Sequence, residues 1–158
     1  MIASLLRRRI PRGDTMPIYQ CTSPGGLLDD STRENIAKEI TRIHCDATGA
    51  LETFVNVVFH ENQEGRYFVA GQRSGHSIVF GFIREGRPLE TRQAMLKEFS
   101  QMWTRLTGQP KEEVLVTLLE VPAENVIEGG LILPEPGREQ AWLHENRARL
   151  TEVGRPNR

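Results

Sequence analysis

Long apolar runs are absent from this chain; none approaches the roughly 18 residues that a membrane-spanning helix needs. A surplus of one charge is absent too. The 158 residues carry 20 basic and 21 acidic side chains, a balance that argues against a general surface for nucleic acid or acidic lipid. Cysteine is scarce. Cys21 and Cys45 have no metal-type spacing, and although their number allows a disulfide, a lone pair in a chain of this size reads as reduced, cytoplasmic thiols. Neither an H-E-x-x-H pattern nor a cysteine–histidine cluster occurs. No metal and no other cofactor is therefore expected.

What is present is enough for a proper core, since a chain of this length buries roughly 70% of its unfolded surface. The first residues stand apart: Arg7, Arg8, Arg9 and Arg12 face a single acid, Asp14, with Pro11 and Gly13 as breakers. Residues 1–16 are read as a leader outside the fold. An upstream start ahead of Met16, a targeting segment and a basic nucleic-acid arm are its three readings. One domain is expected over residues 17–150, with a tail over 151–158.

From Pro17 the pattern is strand, helix, strand, and then the same again. A strand over Pro17–Thr22 is closed by S-P-G-G. A helix is expected from Ser31, where S-T-R-E offers a capping box with Glu34. Ile36, Ile40, Ile43 and Ala47 give its apolar stripe and Gly49 its stop. A β-rich run spans Phe54–Phe59, and R-Y-F-V-A-G reads as one arm of a hairpin. The second unit has a strand at Ser77–Ile83, a helix at Leu89–Thr107 and a strand at Val114–Val121. Leu96, Phe99, Trp103 and Leu106 form the second helix's stripe, with Met95 and Met102 beside it. Both helices end in Thr-Gly. Such a tandem β-α-β repeat predicts an α/β (α+β) fold: a four-stranded sheet, parallel within each unit, with two helices on one face. The strands are apolar nearly throughout, so another subunit is the simplest cover for the second face. A short amphipathic piece is expected around Gln140–Leu150.

A β-α-β repeat whose first strand opens Met16-Pro17 resembles the tautomerase superfamily. R-E-G-R (Arg84–Arg87), then a helix, then E-V-P-A-E-N-V-I-E-G-G-L-I-L-P-E-P-G-R-E-Q-A-W (Glu120–Trp142) is similar to its cis-3-chloroacrylic acid dehalogenase group. The resemblance runs from Pro17 to Trp142. It implies an amino-terminal proline as acid/base residue, matched by Pro17, and a water-activating glutamate, matched by Glu128. It implies a substrate-assisting histidine, matched by His44, and two arginines that hold the substrate carboxylate, matched by Arg84 and Arg87. The family's tyrosine is replaced by Thr117, a departure that puts the dehalogenase reaction in doubt. As partners it implies a small carboxylic acid and further copies of the chain as a homotrimer, with no nucleic acid and no membrane.

The chemistry is coherent. Two guanidiniums can converge on one carboxylate, although spacing alone favours an ordinary charged turn before a helix, and only the match of the whole string reverses that. His44 alone reads as a half-buried structural histidine, and Glu128 is one acid among several. An α-amino group has a pKa of about 7.7–8.0, so a free Pro17 nitrogen can be base or acid. Neutral, it moves the proton of an enol between oxygen and carbon; protonated, it delivers one to carbon 2 while water adds at carbon 3. Threonine lacks the reach of a phenol, so enol–keto chemistry with weak or absent 3-haloacrylate dehalogenation is expected. The alternative is a non-catalytic binding or assembly protein in which Pro17 remains internal and its nitrogen an amide. Tyr19, Phe54, Phe80 and Phe82 are the aromatic candidates for lining a pocket.

Overall fold

In the computed structural model, residues 17–135 and 137–153 are described, with side chains through residue 150. The expectations for the leader and for the end of the tail lie outside the described residues. The strands β1 (Ile18–Pro24), β2 (Asn56–Asn62), β5 (Ser77–Arg84) and β6 (Val114–Val121) form one sheet in the order β2-β1-β5-β6. Two helices, α1 (Asp30–Thr48) and α2 (Leu89–Thr107), make the crossovers. Pairing is parallel between β1 and β2 and between β5 and β6, and antiparallel at the central β1–β5 seam. Each unit also ends in a small antiparallel hairpin: β3 (Phe68–Val69) with β4 (Gln72–Arg73), and β7 (Ile127–Glu128) with β8 (Leu131–Ile132). A third helix, α3 (Glu139–Val153), follows and runs past the expected Gln140–Leu150 piece at both ends.

Alternation along the strands decides which face is covered. Tyr19, Cys21, Val79 and Ile83 point under the helices and are buried, with Ile36, Ile40 and Ile43 of α1 and Met95, Phe99, Met102 and Trp103 of α2. Each large apolar side chain so placed contributes about 1.5–3 kcal/mol. The buried arc of α2 is centred on Met95, Phe99, Met102 and Trp103, so Leu96 and Leu106 lie at its edge rather than its middle. The physical reason is that α2 packs on α1 as well as on the sheet. Gly81 opposes Tyr19 across the seam, and a Cβ there would come within 2.6 Å of the Tyr19 ring and 2.7 Å of Leu118. Absence of a side chain at 81 makes room for the phenol.

Both helix ends repeat in detail. The Thr48 hydroxyl donates to the His44 carbonyl at 2.7 Å and Thr107 to the Trp103 carbonyl at 2.8 Å, each before a left-handed glycine, Gly49 or Gly108. The start of α1 differs from the expected capping box. Asp29, in extended backbone, caps the helix by accepting from the Thr32 amide at 2.7 Å, so Ser31 lies inside the first turn. A carboxylate there also faces the positive end of the helix dipole. Phe54 is not in a strand; it closes a short 3₁₀ turn, Glu52–Phe54, and is buried, and β2 starts two residues later. Among the described residues no helix is long and apolar enough to cross a membrane.

Candidate active site

The seam register sets the site. Ile18 opposes Phe82, so the backbone just before it, at Pro17, runs beside Ile83 and toward the end of β5 at Arg84. Pro17 is buried, and its carbonyl accepts from the Asn56 amide at 3.0 Å where β2 begins. The Asn56 side-chain amide then donates to the Phe54 carbonyl at 2.9 Å and, more weakly, to Glu128 Oε1 at 3.4 Å. The hairpin β7–β8 thus carries Glu128 to the Pro17 end of the sheet. Pro17, Arg84 and Glu128, far apart in sequence, are placed at one end of the sheet.

Arg84 is buried and held firmly. Its Nη1 pairs with Glu139 Oε1 of α3 at 3.1 Å, and its Nη2 donates to the Pro134 carbonyl. Glu139 Oε1 also accepts from the Gly137 amide at 2.9 Å. Burial pulls the guanidinium's pKa down, and Glu139 opposes that shift. Arg87 lies in the loop between β5 and α2, where its N–H faces Glu120 Oε1 at 3.3 Å and its carbonyl accepts from Arg92 Nε at 3.2 Å.

His44 is fully buried beneath the sheet's covered face, more deeply than the half-buried position read from its stripe. The Tyr19 hydroxyl lies 2.8 Å from its Nδ1. Burial lowers the His44 pKa to about 4 and pushes the Tyr19 phenol well above its ordinary value, with Cys45 adding a smaller push. Imidazole is therefore neutral and the phenol protonated near pH 7. Tyr19 donates to Nδ1, which leaves the ring hydrogen on Nε2. That Nε2 is buried and has no hydrogen-bond partner among the described residues. Thr117 is not brought to this end of its own chain. It opposes Phe80 on β6, two strands from β1 and three residues along from Glu120, which opposes Ile83.

A family model described as "Putative oxalocrotonate tautomerase enzyme" matches residues 16–147. The chain belongs to that family, within the tautomerase superfamily. Solved structures agree. N1, a member of the cis-3-chloroacrylic acid dehalogenase family, is 31% identical with a TM-score of 0.80, over 86% of this chain and 97% of its own. Native Ps01740 is 36% identical with a TM-score of 0.69, over 70% and 99%. The fold is shared with a fused 4-OT that forms a symmetric trimer, 20% identical with a TM-score of 0.70, over 77% and 99%. No curated protein matches the chain.

Four residues of this candidate site escaped the sequence: Tyr19 as partner of His44, Asn56 as the bridge to Glu128, and Glu120 and Glu139 behind the two arginines. Tyr19 alone had a usable signal, because it alternates with Pro17 and Cys21 on the covered face. Phe54 is also buried, whereas Phe80 and Phe82 pack against each other on the opposite face at 4.7 Å. Among the described residues, no group of three or more His, Cys, Asp or Glu side chains is placed as metal ligands would be.

Proposed function

We propose that the protein is a cofactor-free proton-transfer enzyme. Its substrate is a small enol/2-oxo or α,β-unsaturated carboxylic acid, and its acid/base group is the nitrogen of Pro17 once the preceding residues are removed. The observation that carries this reading is the convergence of the start of β1, the Arg84 end of β5 and Glu128. In the proposed reaction Arg84 and Arg87 grip the carboxylate, and His44 offers a neutral N–H from Nε2. The Pro17 nitrogen takes the enol O–H proton and returns it to the adjacent carbon as the C=O bond forms. Glu128 polarises water where hydration competes. Thr117 keeps a hydroxyl without a phenol's reach, so 3-haloacrylate dehalogenation is weak or absent.

The working form is proposed to be a cytoplasmic homotrimer. Apolar side chains left exposed on the uncovered face and hairpins support self-association: Leu115 (55%), Leu119 (50%), Ile127 (67%) and Ile132 (61%). Free thiols at Cys21 and Cys45 suit a reducing compartment.

The test begins with the intact mass of the protein from its native host. A chain beginning at Pro17 supports the proposal, and a retained leader favours the non-catalytic reading. Pro17→Ala and Arg84→Ala are each expected to abolish ketonisation of an aryl enolpyruvate. Arg84→Lys accompanies them, because loss of a buried guanidinium leaves Glu139 unpaired and can unfold the chain. Full activity in a folded Pro17→Ala protein overturns the assignment.

A further inference from the structure

The loop that carries Arg87 is held from behind by one carboxylate. Glu120 opposes Ile83 near the end of β6. Its Oε1 accepts from the backbone amides of Gly86 at 3.2 Å and Arg87 at 3.3 Å. Its Oε2 pairs with Arg92 Nη1 at 3.3 Å, and Arg92 turns its Nε to the Arg87 carbonyl at 3.2 Å. The Arg87 residue is thus bound at its N–H and its C=O by two side chains that also bind each other. Gly86 is left-handed, with φ of 95°, a conformation open to glycine that lets consecutive amides turn toward a single anion.

We propose that Glu120 is a positioning residue for substrate recognition, acting through Arg87 by fixing the backbone from which that guanidinium reaches. This rests on the reading of Arg87 as a grip on the substrate carboxylate. The physical gain is pre-organisation. A cation on a loose turn gives up conformational freedom when it binds, whereas one on a clamped backbone gives up less. Arg84 has a separate support, its side chain being held by Glu139. The two arginines are therefore set by different carboxylates.

The test combines amide hydrogen exchange with steady-state kinetics on the active chain. Glu120→Ala is expected to speed exchange at Gly86 and Arg87 at least tenfold. It should raise KM for an aryl enolpyruvate about tenfold, the scale of one hydrogen bond to a charged group, with kcat nearly unchanged. Glu120→Gln, which keeps an acceptor for the amides, is expected to fall between, and Arg92→Met to shift KM in the same direction. In an Arg87→Ala background Glu120→Ala should add nothing. Unaltered exchange in Glu120→Ala, or an equal KM penalty with and without the Arg87 guanidinium, overturns the proposal. Arg87→Ala with wild-type KM also overturns it by removing the reading of Arg87. The exchange data distinguish that failure from failure of the clamp. Should Glu120→Ala not fold, Glu120→Gln and Arg92→Met carry the same comparisons.

Discussion

His44 shows how burial turns a titratable group into a fixed one. Its ring meets Tyr19 edge-on at 5.8 Å, and Tyr19 in turn leans on Phe99 at 5.1 Å. Water is excluded, so the cation is disfavoured and the pKa falls to about 4. The folded pKa lies below the ordinary 6.5, so between those values the unfolded chain holds more protons. Stability is therefore full above about pH 6.5 and is lost as pH falls through about 4, by on the order of 3 kcal/mol. Melting curves of the wild type should show this acid loss, and His44→Gln should flatten it. The sequence read His44 as a half-buried structural histidine, and the fold buries it fully. That depth could not be read from a helical stripe, because the cover comes from Tyr19 and Phe99, on other elements.

At the scale of elements, local patterns were legible where the deciding contacts are local. The bounds of α2 and β6 follow from helical spacing, Thr-Gly and an apolar run rich in valine and leucine. The start of α1 is set by the local Asp29 cap and also tied to a distant residue. Arg33, in its first turn, donates to the Leu28 carbonyl at 2.7 Å and pairs with Glu61 of β2 at 2.8 Å, a contact that suits a start at Asp30 with Asp29 as cap. Asp29→Ala is expected to lower the melting temperature by roughly 2–4 °C, whereas Ser31→Ala should leave it unchanged. The β7–β8 hairpin lies in a stretch to which sequence periodicity assigned no element. The resemblance could match Glu128 but could not derive how it reaches Pro17, since that takes Asn56 from a strand 72 residues away in sequence. The arginine pair was visible as a motif, while its supports, Glu120 and Glu139, lie on elements that only the folded chain brings near.

The whole molecule has one face covered by α1 and α2 and one left largely to its surroundings. α3 and the β7–β8 hairpin shelter a corner of the second face, where Ile18, Phe82, Val121, Val126 and Trp142 pack around Ala123 and Leu133. Trp142 anchors that corner by donating from Nε1 to the Ile132 carbonyl at 3.1 Å. Beyond it, Leu115 and Leu119 stand exposed on β6. If copies of the chain bury them, Leu119→Lys should lower the molar mass measured by light scattering toward that of a single chain, with helical content retained. A mass equal to one chain in the wild type would refute the assembly.

The repeat has one further consequence. Trp103 occupies in α2 the place of His44 in α1, and its ring N–H is satisfied by Gln109 at 2.9 Å. At the far end of the sheet a groove of about 470 Å³ opens between Pro24, Asn62, Tyr67, Arg73 and His76, beside buried Ser77 at the start of β5, in mid-chain. No backbone amine can be freed there without cutting the polypeptide. On the proposed reading, then, duplication has left a single amine: the first unit supplies Pro17, the second supplies Arg84, Arg87 and Glu128 at the same end of the sheet, and changes at the opposite end are felt in stability rather than turnover.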